Sequence, residues 1–138
     1  VMPVTKRQLQ VHARLDLPTR LTVQLRAQGG SFEQADTKSN WGWSMHLEVS
    51  WAKGRIKLSA RALYFDAPHY DTRQYVYEKD VLYAYSFPAF YGRGIRHYAL
   101  LKVRILRHLD AWVKFAQTTT YPHREKAREV KWQVLWKF

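Results

Sequence analysis

The six histidines are the first side chains in this sequence that could do chemistry, as metal ligands or proton carriers. They are His12, His46, His69, His97, His108 and His123. No pair has the HxH or HxxxH spacing that places two imidazoles on one face of a strand or a helix. The sequence contains no cysteine, which excludes a thiolate site. We therefore predict no metal site and no cofactor.

Two other groupings have the residue types of active sites. Gly92 and Gly94 form a Gly-x-Gly pair, but a nucleotide-binding loop needs a parallel strand before it and a helix after it. The pattern around these glycines indicates a turn instead. Ser59, His46 and Asp110 are the types found in a hydrolytic triad, but nothing in their spacing supports one and no GxSxG motif is present. We expect that the protein is not an enzyme.

Charge gives a stronger indication of function than any catalytic motif. The chain has 23 Lys and Arg residues against 11 Asp and Glu residues, a formal net charge of +12. This excess indicates an anionic partner, which is nucleic acid, a lipid or lipopolysaccharide surface, or small anions. Aromatic residues make up 15% of the chain, so both membrane proteins and nucleic-acid-binding proteins fit the composition.

The elements that must position these charges are β-strands, because apolar and polar residues alternate with a period of two. The alternation is cleanest at residues 41–51, where Met45, Leu47 and Val49 alternate with His46 and Glu48. Residues 1–138 are predicted to form a single all-β, antiparallel domain. Eight strands are predicted, at about 8–17, 20–27, 41–51, 55–65, 75–86, 95–106, 108–118 and 129–138.

The direction in which the apolar faces point decides the class of the fold. A soluble sheet turns its apolar residues inward, whereas a transmembrane barrel turns them toward lipid. The predicted strands are long, close to the roughly 9–11 residues that cross a bilayer. Trp41, Trp51, Trp132 and Trp136 lie near strand ends, as in interfacial aromatic belts. We therefore expect an antiparallel transmembrane β-barrel of about eight strands, or the C-terminal part of a larger barrel.

If the apolar faces meet lipid, the opposite faces line a lumen that carries many cations and the acids Asp16, Glu48 and Asp110. Such a wall could attract or select anions. The favoured alternative is a ladder of paired and hydrated charges, because side chains just fill an eight-stranded barrel. The predicted basic lumen residues are Arg14, Arg26, Lys57, Arg61, Arg96, Lys102, Arg104, Lys114, Lys131 and Lys137.

Apolar residues occupy every second position at the C-terminus, with Lys131, Gln133 and Lys137 as the polar residues between them: Val130, Trp132, Val134, Trp136 and Phe138. This stretch resembles the C-terminal signal of bacterial outer-membrane barrels, a last strand that ends in Phe. The resemblance implies recognition by the barrel-assembly machinery, whereas the alternative is an ordinary edge strand. If Phe138 lies in the periplasm, eight strands place the predicted 28–40 loop there too, which is longer than usual for that side.

A narrower resemblance covers residues 75–138. An acidic and aromatic strand leads into a connection that is followed by a basic strand and an aromatic one. The connection contains Ser86, Pro88, Tyr91, Gly92, Gly94 and Arg96. This order is similar to that of the C-terminal barrel region of helix-hairpin-helix outer-membrane proteins of Bacteroidetes. This sequence has no helix-hairpin-helix segment, so the DNA-related association of that family does not transfer to it.

These patterns predict an integral, porin-like protein of the bacterial outer membrane with a structural or transport role, or a subunit of an outer-membrane assembly. Its expected partners are outer-membrane lipid or lipopolysaccharide, the barrel-assembly machinery, and other outer-membrane chains or a missing N-terminal part of the barrel. We expect the first strand to pair with such a partner. The alternative is a soluble small β-barrel that binds single-stranded nucleic acid or another polyanion. Nucleic acid is disfavoured because cations and aromatics occupy opposite faces of the strands.

Overall fold

The computed structural model describes residues 3–34, 39–68, 72–76, 78–81, 89–90, 92–121 and 124–138. These residues form β-strands joined by turns and connections, and they include no helix long and apolar enough to cross a membrane. The strands are β1 (Val4–Leu17), β2 (Leu21–Gln34), β3 (Asn40–Lys53), β4 (Ile56–Ala67), β5 (Gln74–Tyr75), β6 (Ala89–Phe90), β7 (Gly92–Leu106), β8 (Leu109–Tyr121) and β9 (Glu125–Trp136).

The seven long strands form one sheet in the order β1-β2-β3-β4-β7-β8-β9, and every neighbouring pair is antiparallel. The short strands β5 and β6 pair with each other. The predicted all-β, antiparallel fold is thus confirmed. Within the described residues the ladders pair β1 with β2 alone and β9 with β8 alone, so the sheet is open.

The predicted strand at 75–86 is wrong in the part that the structure describes. Only Gln74–Tyr75 belongs to a strand, and residues 78–81 lie against one face of the large sheet. Glu78, Lys79 and Asp80 are three consecutive charged residues, which interrupts the period of two, and all three have ion-pair partners on the sheet. Residues 82–88 of that prediction lie outside the described residues.

The large sheet has seven strands and not the predicted eight. This difference changes which end of the sheet holds the end of β2 and the start of β3. The tight turns at 18–20, 54–55 and 107–108 all lie at one end of the sheet. Lys137 lies there too, because its amide donates to the His108 carbonyl at 2.7 Å. The predicted 28–40 loop is largely strand, since β2 continues to Gln34 and β3 begins at Asn40, and both of these strand ends lie at the opposite end of the sheet from Phe138. Residues 35–38 of that prediction lie outside the described residues.

The Gly-x-Gly pair is part of a strand, and the predicted turn there is wrong. Gly92 begins β7 with a φ of +83°, and Gly94 lies inside β7. A Cβ at Gly94 would stand 2.5 Å from the Thr119 carbonyl oxygen and 2.8 Å from the ring of Phe65. Glycine at position 94 therefore allows the Phe65 ring to pack directly against the backbone of β7.

The buried core lies on one face of the sheet, which we call the inner face. This face carries Ser44, His46 and Glu48, while the outer face carries Trp43, Met45 and Leu47. The core contains two apolar clusters, and in both of them the connection between β4 and β7 contributes side chains. The first cluster is Leu63, Phe65, Val76 and Phe90. The second is Tyr98, Leu100, Trp112 and Ala116, with Val81 and Leu135 packed against it.

Candidate functional site

On β3 and at Lys114 of β8, polar residues of the inner face are covered and their apolar neighbours on the outer face are exposed, the reverse of a soluble sheet. On β3, Glu48 is 1% exposed, whereas its neighbour Leu47 is 46% exposed. On β8, Lys114 is likewise buried and Val113 is exposed. Because neighbours on a strand point to opposite faces, the two faces of one sheet have opposite solvent exposure. Either face is a candidate for function.

The strand registers place nine of the ten predicted lumen cations on the inner face, and the tenth, Lys137, follows β9 and pairs with Asp110 of that face. Arg26 is paired with His46, Lys57 with Lys102, and Lys114 with Lys131. The acids Asp16, Glu48 and Asp110 fall on the same face. The ten cations are Arg14, Arg26, Lys57, Arg61, Arg96, Lys102, Arg104, Lys114, Lys131 and Lys137.

Glu48 is the centre of the first ionic cluster on the inner face. Its carboxylate accepts hydrogen bonds from the guanidinium of Arg61, with the Arg61 Nε at 2.8 Å, and from the Tyr98 hydroxyl at 3.2 Å. Lys79 Nζ lies 2.8 Å from the other carboxylate oxygen and donates to Ser50 Oγ at 2.8 Å. Lys79 thus ties the β4–β7 connection to β3.

Glu78 is the centre of a second cluster on the neighbouring strands. It is 1% exposed and pairs with Arg96 of β7, whose Nη2 is 2.9 Å from Glu78 Oε2. Lys114 Nζ of β8 lies 3.3 Å from the same oxygen. Arg96 also donates to Thr118 Oγ1 at 2.9 Å. The carboxylate therefore joins two adjacent strands through the connection.

Asp80 extends the second cluster to β9. Lys131 Nζ lies 2.8 Å from its carboxylate, and Lys114 Nζ lies 3.6 Å away. Burial opposes ionisation of Asp80, but hydrogen bonds from Lys131 and the Val81 amide outweigh it and lower the pKa of Asp80. The lowered pKa means that these contacts stabilise the fold above the unfolded pKa of about 3.9, and the gain is lost as the pH falls through the folded pKa.

We call residues 78–81 the strap, since they cross the inner face from β3 to β9. Sequence reasoning missed Glu78 and Asp80 as acids of this face because residues 75–86 were assigned to the sheet. The run of three charges at 78–80 was the signal available in the sequence. With the strap in place, the cations Arg61, Arg96, Lys114 and Lys131 all pair with buried carboxylates.

The other predicted cations have different surroundings. Arg104 and Lys137 pair with Asp110 at 3.3 and 3.1 Å, at the tight-turn end of the sheet. Arg14 pairs with Asp16 at 3.1 Å in an exposed position. Arg26 donates to Gln10 Oε1 at 2.9 Å. Lys57 and Lys102 line a cavity of about 290 Å³ that is bounded by Ser59, Lys79, Asp80, Leu100 and Trp112.

The outer face is a continuous apolar surface with tryptophan at its margins. On β3 it runs from Trp41 to Trp51, ten residue steps or roughly 33 Å along the strand. A strand tilt of about 40° would reduce this to roughly 25 Å, the height of the apolar band of outer-membrane barrels. The residues of the predicted assembly signal follow the same face of β9 and the end beyond it: Val130, Trp132, Val134, Trp136 and Phe138, all exposed.

Catalytic and metal-binding residue types are not brought together on the described part of the chain. Ser59 lies opposite Ser50 in the β3–β4 register, while His46 lies opposite Leu63, and Asp110 is on β8. No group of three or more His, Cys, Asp or Glu residues that could hold a metal ion occurs among the described residues. His69 and His123 lie outside them.

Comparison with known proteins leaves the fold as the main basis for a functional argument. No protein-family model matches the chain, and neither a curated protein nor a solved structure matches it. The resemblance to the helix-hairpin-helix outer-membrane proteins of Bacteroidetes therefore stays a prediction. Of its connection residues, Ser86, Pro88 and Tyr91 lie outside the described residues, and Gly92, Gly94 and Arg96 lie in β7.

Proposed function

We propose that this chain forms the wall of a β-barrel in the bacterial outer membrane, with its outer face against lipid or lipopolysaccharide and its inner face toward the lumen. The observation that carries the proposal is the inversion of the two faces. Buried Glu48, Arg61 and Lys114 lie on one side of the sheet, and exposed Met45, Leu47 and neighbouring apolar residues lie on the other.

The free energy gained by moving the outer-face side chains out of water supports a lipid environment. Moving one large apolar side chain out of water is worth about 1.5–3 kcal/mol, and the exposed ones form a contiguous surface across the long strands. Soluble monomers rarely expose apolar patches of more than a few hundred Å². A bilayer supplies the missing burial without a second protein layer. Trp41, Trp51 and Trp136 would then lie at the two interfaces, where indole is favoured.

The arrangement of connections also supports the proposal. Barrels of the outer membrane have short periplasmic turns and longer external loops. Here the tight turns 18–20, 54–55 and 107–108 share one end of the sheet with Phe138, and the longest connection, 68–91, begins at the other end. The tight-turn end would be periplasmic, where the assembly machinery would meet β9.

The strap favours a structural role over an open anion pore along β3–β9. Glu78 and Asp80 add two negative charges beside Arg96, Lys114 and Lys131, so the wall is less basic than the strands alone suggest. Larger barrels are often plugged by a loop that folds inward. A connection that forms ion pairs with carboxylates or cations of β3, β7, β8 and β9 is suited to that task. Any anion transport would then follow the β1–β2 side, which the strap does not cross.

Binding of single-stranded nucleic acid is the competing function. Such proteins combine cations that track the phosphates with aromatic rings on which bases stack, so both must be accessible from one side. Here Trp132 and Val134 are exposed on the outer face, and Lys131 on the inner face is bound to Asp80. The geometry therefore supports the membrane role better.

Cell fractionation tests the proposed function directly. We expect the chain to sediment with outer membranes, to resist extraction by alkaline carbonate and to require detergent for a monodisperse preparation. The same preparation, tested for retention of labelled single-stranded DNA at physiological salt, should bind weakly. A monodisperse monomer that needs no detergent and retains single-stranded DNA would contradict the membrane role and support the competing one.

The predicted assembly signal gives a separate test. The double substitution of Trp136→Ser and Phe138→Ser should greatly reduce the amount of chain in outer membranes, because these aromatics end the strand proposed to be recognised. The matched control is Trp41→Ser with Trp43→Ser, which removes two exposed outer-face aromatics from β3. Equal loss in the two double variants, measured by fractionation at equal synthesis, would show that the C-terminal aromatics only contact lipid.

A further inference from the structure

The outermost strands of the sheet run in the same direction. The sheet has seven strands and every neighbouring pair is antiparallel, so the first and the last must be parallel to each other. Both Val4–Leu17 and Glu125–Trp136 run toward the tight-turn end. In the described residues each of these strands has one edge without a ladder. Each strand therefore presents a row of backbone groups to a partner.

Direct pairing of β1 with β9 would create a parallel ladder in an otherwise antiparallel sheet. Single-chain bacterial outer-membrane barrels have an even number of antiparallel strands. A free edge is not tolerated in lipid, because nothing there satisfies the backbone N–H and C=O groups. About seven residues of a 14-residue strand such as β1 direct these groups to its free edge. In the proposed barrel, β1 must pair with something other than β9.

A second copy of this chain does not meet the requirement. Copies inserted in the same direction and joined head to tail would bring β1 of one copy beside β9 of the next, again in parallel. A twofold pairing of β1 with β1 is antiparallel, but it reverses one copy across the membrane. Assembly from the periplasm gives every copy the same direction, so the partner is a strand that neither β9 nor a second copy supplies.

We infer that the free edge of β1 binds an antiparallel strand that is not among these seven, and that an odd number of such strands completes the barrel. This inference rests on the proposed function. The partner strand is apolar on its outer side, where it continues the surface of Leu9, Val11 and Leu15. Its inner side is acidic, because the inner positions of β1 and β2 include Lys6, Arg14 and Arg26 with Asp16 as their one carboxylate.

Photo-cross-linking in cells tests the inference by the order of the adducts. A benzophenone amino acid is placed singly at Leu9, Val11, Ala13 and Leu15, and the attached peptides are sequenced from the outer-membrane fraction. Some adducts should fall on β2, at Gly29, Ala27, Leu25 and Val23 in turn. We expect further adducts to a strand that is not among these seven, with the residue number of the attached site falling by about two at each step, as in an antiparallel ladder. We also expect Asp or Glu at the alternate positions of the attached strand. The control position is Leu47, which should attach to Leu25 or Ala62 of its neighbouring strands.

Three results would overturn the inference while leaving the membrane role intact. They are adducts to β9, adducts to a strand outside β2 whose residue numbers rise along β1, and adducts to lipid or β2 alone. Basic residues at the inner positions of the attached strand would contradict its proposed chemistry. Recovery of the cross-linked chain in the soluble fraction would instead contradict the proposed function, so the two failures are distinguishable in the same samples.

Discussion

We expect Leu25→Arg to prevent the proposed insertion into the outer membrane, and Gln24→Arg to leave insertion close to that of the unsubstituted chain. The two residues are neighbours on β2 at the same height of the sheet. Leu25 lies opposite Leu47 on the outer face, and Gln24 lies opposite Glu48 on the inner face. Arginine near the bilayer midplane costs about 2–4 kcal/mol on the lipid side, while the lumen side tolerates charge.

The same two substitutions distinguish a membrane-inserted fold from a soluble one. Leu25 is 45% exposed, so in a soluble protein its replacement by arginine would change stability by only about 0.5 kcal/mol or less. The measurement is the fraction of chain recovered in carbonate-washed outer membranes of cells at equal synthesis, where any partner strand is present. Equal recovery of the two variants would reverse the assignment of the two faces.

Glu78→Gln releases the strap from the inner face. The substitution removes the charge that Arg96 and Lys114 share, and it leaves Lys114, which is 1% exposed, with Asp80 at 3.6 Å as its remaining carboxylate. Breaking a buried ion pair by removing one partner costs about 3–5 kcal/mol. We expect this cost to lower the free energy needed to open the strap, because the strap is a short segment held mainly by such pairs.

A single introduced cysteine measures that opening, since the chain has none of its own. Val81→Cys places a thiol on the strap beside the cluster of Tyr98 and Trp112. We expect Glu78→Gln to raise the rate of maleimide labelling of this thiol by about 100-fold, the equivalent of roughly 3 kcal/mol in opening free energy. Glu33→Gln, at an exposed acid of β2, is the control and should leave the rate unchanged. Unchanged labelling in Glu78→Gln would show that the strap is held by its apolar contacts.

The period of two was sufficient to predict most of the sheet and the division of its faces. At 41–51 the alternation of tryptophan and leucine with histidine and glutamate predicts both the strand and its two sides, and the β3 register agrees. Face assignment is local, because a strand side chain points opposite to its neighbours whatever the tertiary context. The predicted cations therefore fall on one face without any knowledge of the strand order.

The strap could not be predicted in the same way. Residues 75–81 are rich in tyrosine and valine, which have high strand propensity, so local preference favoured another strand of the sheet. The actual position depends on Glu48, Arg96 and Lys131, which are distant in sequence and meet the strap only after the sheet forms. Counting this segment as a strand gave eight instead of seven, which also placed the 28–40 loop at the wrong end.

Quenching of tryptophan fluorescence by lipid tests the central claim most directly. Two single-tryptophan variants, with the other tryptophans replaced by phenylalanine, are purified from outer membranes together with any bound partner strand and reconstituted into vesicles whose acyl chains carry bromine. One variant keeps Trp132, which is 76% exposed on the outer face, and the other keeps Trp112, which is 6% exposed on the inner face. The account predicts strong quenching of Trp132 by the brominated chains and little quenching of Trp112. Quenching of Trp132 by aqueous iodide, with no effect of bromine on either residue, would contradict it.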